Sequence, residues 1–385
     1  MYTLLQQGIP ILAPFFHTHF DLSLAGLGIL VSSFSAGLVI SSIPSGALVD
    51  RVGERWSVTA GAAVGCCLVL ATLLVQHQAW AVGALLFLAG LLSGTVGISS
   101  SKSVFGWFDP RERGLAMGVR QIAIPAGAAI GAISLPLLGT IGGWQLPLTA
   151  IASAQLASAA IFLVCLKAPP GGNPARAQTT VWHGMAGVLR DPPMVLAASL
   201  TFVLVFSQYV LLAYLILYLT GEGYSAFLAS LGLLAVQLGA VGGRMFWGQV
   251  SDRAFRGARK PAIRAIVPLA SAAVASLAAI SRAWPSWLVV LQLLLVGATA
   301  LSWNGLVVTL IAELGGYQRA GAAIGLNSAA AYFGALMAAP LFGAVVDRSH
   351  SYRIGFLALA CTTLLGLIPL TLTHEPRASS ADGDG

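Results

Sequence analysis

The feature that most constrains this chain is a run of apolar residues about as long as a bilayer crossing, repeated from one end of its 385 residues to the other. Twelve such stretches can be marked, at about 1–16, 25–48, 56–76, 80–108, 114–138, 144–166, 193–219, 225–250, 262–281, 286–311, 320–346 and 354–373. Hydrophobic residues make up 57% of the chain and charged residues only 9%, against about a quarter charged in a soluble domain. So few charges could not cover a water-facing surface, and lipid removes the need for one. A helix satisfies its own backbone hydrogen bonds and can therefore cross hydrocarbon. The expected fold is an all-α membrane protein. The first run is short for a crossing of about 20 residues. No basic segment precedes Leu4 and no small-residue cleavage site precedes His17, so it does not read as a signal peptide. Either the first helix is truncated or its start lies upstream.

Most connections are short, which makes consecutive helices antiparallel neighbours. The long polar link is Lys167 to Asp191, containing Pro169-Pro170-Gly171-Gly172-Asn173-Pro174, a density of helix breakers that ends any helix. It divides the chain into a six-helix bundle over 1–166, a central loop over 167–192 and a second six-helix bundle over 193–374. Residues 375–385 are expected to be a disordered tail. With the N-terminus in the cytoplasm, fourteen loop arginines and lysines fall on the cytoplasmic side and three, Arg282, Arg348 and Arg353, on the other. That asymmetry orients the chain, places both termini inside, and accounts for the net charge of +7 without a nucleic-acid partner. The four cysteines, Cys66, Cys67, Cys165 and Cys361, sit in apolar runs without metal-ligand spacing and imply neither disulfides nor a metal.

The second half echoes the first. Gly46-Ala47-Leu48-Val49-Asp50-Arg51 matches Gly248-Gln249-Val250-Ser251-Asp252-Arg253, each after the second span of its half. Gly114 to Arg120 matches Gly321 to Asn327, each opening the fifth span, and Gly127 then matches Gly334. Parallel repeats of this kind are a transporter architecture. The pattern Gly46-x-Leu48-x-Asp50-Arg51-x-Gly53-x-Arg55 resembles the signature loop of the major facilitator superfamily, departing from it where Trp56 replaces a further basic residue. Span count, central loop and repeat order extend the resemblance over the whole chain. It implies twelve helices in two pseudo-symmetric six-helix bundles.

For the signature loop and its copy, the resemblance implies a conformational gate formed by Gly46, Asp50, Arg51, Gly53, Arg55, Gly248, Asp252 and Arg253. The chemistry is readable without the name. Gly46 lets a neighbouring helix approach. Asp50, at a helix end, can pair with Arg51 or Arg55 or accept from a neighbouring helix N-terminus. The alternative is an ordinary anchoring charge at a helix turn. A weaker resemblance joins Met117-Gly118-Val119-Arg120-Gln121 and Trp303-Asn304-Gly305 to a bacterial branch that includes cyanate and nitrate-type permeases. The antiporter signature of the fifth span is only partly present, with Ala132 where proline is expected.

Ionised groups inside the bilayer cost about 2.5–3.5 kcal/mol each on insertion scales, so they face a cavity or a partner. Three cations lie within spans: Lys102, Arg120 and Arg244. Snorkelling to the interface is the alternative for the first two; for Arg244, anion binding and closure of the cytoplasmic gate stand level. Every acidic residue falls in a loop, a tail or a helix end, so a carboxylate proton carrier inside the membrane is lacking and a cationic substrate is disfavoured. Neutral polar candidates fall on the first, fourth, seventh and tenth spans, the ones that line the cavity in the resembling family: Gln6, Gln7, Ser99 to Ser101, Gln208, Tyr209, Trp303 and Asn304. Asn327 is the repeat equivalent of Arg120. Taken singly, helix packing is at least as good a reading for these, with Gln7 and Asn304 favoured for the cavity, and Tyr214 and Tyr218 read as core or interfacial residues.

These residues point to a secondary transporter working by alternating access on a small organic or inorganic anion, in a bacterial-type inner (plasma) membrane. Efflux of hydrophobic compounds and a non-transporting membrane sensor are the alternatives. No nucleophile–base pair, metal cluster or phosphate-binding loop is present, so neither enzymatic chemistry nor a cofactor is expected. The expected partners are the lipid bilayer and a small solute, and the expected state is a monomer.

Overall fold

This computed structural model describes residues 2–42, 45, 48, 49, 52–107, 113–165 and 187–373, with the backbone alone described at 2, 3, 98, 100–106, 113–125, 312 and 316–322. Among the described residues all regular structure is helical. The first half contains α1 (Tyr2–Ile11), α2 (Ala13–Phe20), α3 (Leu24–Ser41), α4 (Glu54–Ala71), α5 (Ala79–Trp107), α6 (Arg113–Gly142) and α7 (Gln145–Cys165). The second contains α8 (Pro192–Gly221), α9 (Ala226–Gln249), α10 (Arg259–Ser276), α11 (Ser286–Ala300), α12 (Asn304–Ser349), α13 (Tyr352–Leu365) and α14 (Leu367–Leu372). Among the described residues, ten stretches are long and apolar enough to cross a membrane by length and composition. The pair α1–α2 and helix α6 complete the twelve expected spans.

The first span is longer than its apolar run suggested. The helix breaks at Leu12 and resumes through His17 and His19 to Phe20. His19 Nε2 donates to the Gln76 carbonyl at 2.8 Å, and its ring packs edge-on against Trp144. These contacts carry a polar ring at the helix end that hydropathy alone reads as a stop.

Helical residues run from Asn304 to Ser349 as α12, 46 residues in all, and the sequence predicts a reversal within that stretch, between 311 and 320. A straight helix would put Asn304 and Asn327 about 34 Å apart. Yet Asn304 bonds Gln208 and Asn327 bonds Thr201, two positions on α8 only about 10 Å apart along its axis. The chain therefore doubles back between 304 and 327.

The two halves are built alike. In the first half α1 packs on α6, α3 on α5, α4 on α5 and α4 on α7; in the second, α8 packs on α12, α9 on α11, α10 on α11 and α10 on α13. The corresponding crossings use the same device. Gly37 meets the Phe87 carbonyl and Gly90 the Phe34 carbonyl; Gly239 meets the Leu294 carbonyl and Gly297 the Val236 carbonyl. A Cβ at any of the four would land inside the opposing backbone, so these helices approach as closely as small residues permit. Tyr214, Tyr218, Phe342 and Phe356 form an aromatic chain in the second half, with centroids 4.9–5.3 Å apart. Tyr214 and Tyr218 are thus core residues. Large apolar side chains such as Leu74 (87% exposed), Trp80 (76%) and Val164 (75%) point outward, as they must when lipid is the solvent.

The halves touch through α3 with α12, α6 with α9, and α1 and α2 with α8. At one end Leu24 of α3 abuts Asp347 of α12. This is called the Asp347 end below; the opposite end carries Arg55 and Arg259.

Candidate substrate site and gates

The tenth span is broken. Helix α11 stops at Ala300 and α12 starts at Asn304. Leu301 N–H still donates to Gly297 at 3.3 Å, and the next backbone bond to span the break is Val307 N–H to Trp303 at 3.1 Å. Interrupted helices free backbone groups inside a membrane, tolerated where they are buried in protein or line a cavity. Arg244 of α9 lies against this break. Its Nη2 donates to the Leu301 carbonyl at 3.4 Å, while its Nε is buried without a partner. Arg244 makes no ion pair among the described residues. Gly243 lets α9 close on Ala298 and Ser302, and Trp247 Nε1 donates to the Ala298 carbonyl at 3.0 Å. The guanidinium is thus held at the break by packing on either side of it.

Across the break, Asn304 Nδ2 donates to Gln208 Oε1 at 3.3 Å. Tyr209, 7% exposed, lies within hydrogen-bonding reach of Gln6. Gln7 is 4% exposed and its Oε1 has no partner. Ser99 Oγ, Ser207 Oγ and Trp303 Nε1 are likewise buried and unpartnered. Axial rise sets the depths. Gln7 and Gln208 each lie thirteen residues from the Asp347 end of their span, Arg244 eighteen from the start of α9, and Leu301 fifteen from the start of α11. That is about 20–27 Å from that end for all four. One layer near the middle of the spans therefore holds a guanidinium, three amides and a broken backbone.

A second layer lies deeper. Counted the same way, the backbone positions of Lys102, Arg120 and Asn327 fall about 33–35 Å from the Asp347 end. The side chains of Lys102 and Arg120 lie outside the described residues. Asn327 Oδ1 accepts from Thr201 Oγ1 at 2.5 Å and is 7% exposed, a link between α8 and α12.

Of the gate residues, Gly46, Asp50 and Arg51 lie outside the described residues. Gly53 has φ 86° and ψ 156°, a conformation essentially restricted to glycine. It turns the chain into α4. Arg55 Nη2 donates to the Leu163 carbonyl at the C-terminal end of α7, and its guanidinium lies 5.9 Å from the Trp56 ring. In the second copy, Asp252 pairs with Arg259 at 2.5 Å, and Arg259 reaches Glu313 at 3.5 Å. Arg253 is exposed, and a side chain at Gly248 would meet nothing within 4 Å. Each of these described contacts stays within its own half.

Two features were missed from the sequence. The break at 301–303 interrupts an apolar run with no proline to mark it. The Asp347 contacts join residues more than 320 positions apart, although a hexapeptide repeat, taken up below, gave a signal.

Comparison with known proteins fits this geometry. The family model described as Major Facilitator Superfamily matches residues 1–339. An uncharacterized MFS-type transporter of Mycobacterium tuberculosis is 30% identical over 359 residues, covering 89% of this chain and 76% of that protein. A hexuronate transporter of Bacillus subtilis is 29% identical over 177 residues, 43% of this chain and 39% of that one. A probable anion transporter 4, chloroplastic, of Arabidopsis thaliana is 34% identical over 120 residues, 30% of this chain and 22% of that one. Among solved structures, a D-xylose–proton symporter superposes with a TM-score of 0.77 at 18% identity, covering 97% of this chain and 96% of that one.

Proposed function

The chain belongs to the Major Facilitator Superfamily, and from that premise we propose that it carries a small organic or inorganic anion across a bacterial plasma membrane by alternating access. The observation that carries the proposal is Arg244, a guanidinium deep in a span with an unpartnered Nε and no carboxylate paired to it among the described residues. Uncompensated charge at that depth is costly, and a transported anion compensates it. The polar groups of the same layer supply hydrogen bonds: the Asn304–Gln208 amides, Gln7 and Tyr209. Two relatives bearing the names hexuronate transporter and probable anion transporter support an anionic substrate. Lys102, Arg120 and Asn327, one layer deeper, are assigned to the anion's path between the site and the Arg259 end.

The two six-helix units, 1–166 and 193–374, rock about this layer, joined by 167–192. The excess of arginine and lysine in one set of loops puts the Arg259 end and both termini in the cytoplasm. The Asp347 end then faces outward, and the structure is the state shut on that side. The signature loop, with Asp50 and Arg51, and its copy at Asp252 and Arg253 act as the cytoplasmic latch.

Uptake and counterflow in proteoliposomes across a panel of anions test the reading, with Arg244→Gln, Arg120→Gln and Lys102→Gln beside wild type. Loss of the charge-assisted bonds of one arginine, about 1.5–3 kcal/mol, raises the half-saturating anion concentration about 10- to 100-fold. Transport of lipophilic cations or neutral drugs with anions ignored, unaffected by Arg244→Gln, would favour hydrophobic efflux. Saturable anion binding without counterflow would favour a sensor.

A further inference from the structure

The end of α12 repeats the signature hexapeptide. Gly343-Ala344-Val345-Val346-Asp347-Arg348 matches Gly46-Ala47-Leu48-Val49-Asp50-Arg51 at every position but the third. The two copies stand near the C-terminal ends of the second and eleventh spans. These spans pack antiparallel across the two halves, so the copies lie at opposite ends of one helix pair.

At the Asp347 end the contacts are complete. Asp347 Oδ1 accepts from Leu24 N–H at 3.0 Å and Oδ2 accepts from Ala25 N–H at 2.8 Å. Ser23 Oγ accepts from Gly26 N–H at 3.1 Å, and the Ser23 carbonyl from Leu27 N–H at 2.8 Å. Every first-turn N–H of α3 is therefore satisfied, two of them by a carboxylate from the other half. A helix N-terminus carries partial positive charge, so a bidentate carboxylate there is both a hydrogen-bond partner and a counter-charge. The Tyr214 hydroxyl adds a bridge. It lies 2.7 Å from the Leu24 carbonyl and 2.9 Å from the Ala339 carbonyl, tying α8 to α3 and to α12. Gly343 makes room for this: a Cβ there would collide with the Leu24 carbonyl and come within 2.6 Å of the Tyr214 hydroxyl. Gly28, one turn along α3, sits likewise on the Ala339–Pro340 peptide.

We infer that Gly343, Asp347 and Tyr214 form a second latch, the counterpart of the signature loop on the opposite face of the membrane. Asp347 holds the N-terminus of α3 when the Asp347 end is shut and releases it when that end opens. On opening, Leu24 N–H and Ala25 N–H exchange the carboxylate for water. The latch therefore biases the two-state equilibrium without contacting substrate. It rests on the alternating-access reading but not on the identity of the solute.

The test places spin labels on the two halves at the same end, at Trp80→Cys and Phe227→Cys, in a background with Cys66, Cys67, Cys165 and Cys361 replaced by serine. Both label positions are well exposed, at 76% and 74%. Double electron–electron resonance without substrate reads the populations. In Asp347→Asn the ratio of open to shut molecules rises about tenfold, equivalent to about 1.4 kcal/mol; Asp347→Glu keeps most of the short-distance population. Gly343→Val opens the same end by wedging, independently of charge. Tyr214→Phe gives a smaller shift in the same direction. Unchanged distances in a folded Asp347→Asn and a folded Gly343→Val alike overturn the latch. A fall in melting temperature with no change in distances also overturns it, because that is the signature of a purely structural cap. Lack of anion counterflow by wild type refutes the substrate assignment and leaves the distance result standing.

Discussion

Replacing Arg244 with methionine separates a binding residue from a structural one. In this structure the guanidinium makes one long bond, 3.4 Å to the Leu301 carbonyl, and leaves Nε buried without a partner. Such a group is a liability in the empty protein. A charge at depth costs about 2.5–3.5 kcal/mol on insertion scales, and a single long hydrogen bond returns about 1.5 kcal/mol, the low end for a bond to a charged group. Methionine fills much of the same volume without the charge, so Arg244→Met stabilises the empty protein by about 1–2 kcal/mol on that balance. The same substitution removes the counter-charge for the substrate. A transported anion at a hundred times its wild-type dissociation constant stabilises wild type by about 2.7 kcal/mol, and a mutant that binds it about 10- to 100-fold more weakly by only about 0.4–1.4 kcal/mol. Thermal unfolding in detergent, with and without anion, reads both effects. The reasoning predicts a higher melting point for empty Arg244→Met than for empty wild type, and an anion-dependent rise cut to about half or less. A mutant that melts lower than wild type and shifts with anion as far as wild type does would refute it, because Arg244 would then be a structural brace.

Other consequences follow from named contacts. Gly297→Ala forces a Cβ into the Val236 carbonyl and destabilises the protein by about 1–3 kcal/mol, whereas Gly242→Ala, which meets nothing within 4 Å, leaves the melting point within about 0.5 kcal/mol of wild type. Thr201→Val weakens the α8–α12 link to Asn327 by about 0.6–1.7 kcal/mol in unfolding measurements, and Asn327→Leu added to it costs far less than the two changes summed. Asp252→Asn breaks the contact to Arg259, but Asp252 is 62% exposed; the loss stays below about 1 kcal/mol and shrinks further in high salt.

The spans were legible because hydrocarbon admits so few solutions: an apolar run near 20 residues reads as a helix whatever its side chains. The repeat was legible from Gly46–Arg51 and its copy Gly248–Arg253. The close crossings at Gly90 and Gly297, which return in each half, were not part of that signal. The reversal between 304 and 327 was visible in the polar stretch around Glu313 and Arg319. The first span was read short because His17 and His19 look like a loop until Trp144 and Gln76 are seen beside His19.

The candidate site could be nominated from the sequence as a set of residue types but not as a place. Gln7, Gln208, Arg244 and Asn304 come from four spans, and only axial depth puts them in one layer. The break at 301–303 was hidden because apolar residues flank it and a broken span has the same hydropathy as an intact one. Asp347 looked like any acid at a helix end. Its partners, the N–H groups of Leu24 and Ala25, belong to the backbone and carry no sequence signal.

Anomalous diffraction from a heavy-atom anion, selenate or bromoacetate, bound to the purified protein tests the central claim most directly. The account predicts a peak within about 4 Å of the Arg244 guanidinium, the range for a charge-assisted contact, beside the 301–304 break, and its disappearance in Arg244→Gln. Peaks confined to exposed arginines of the end loops, with none at the Arg244 layer, would contradict it.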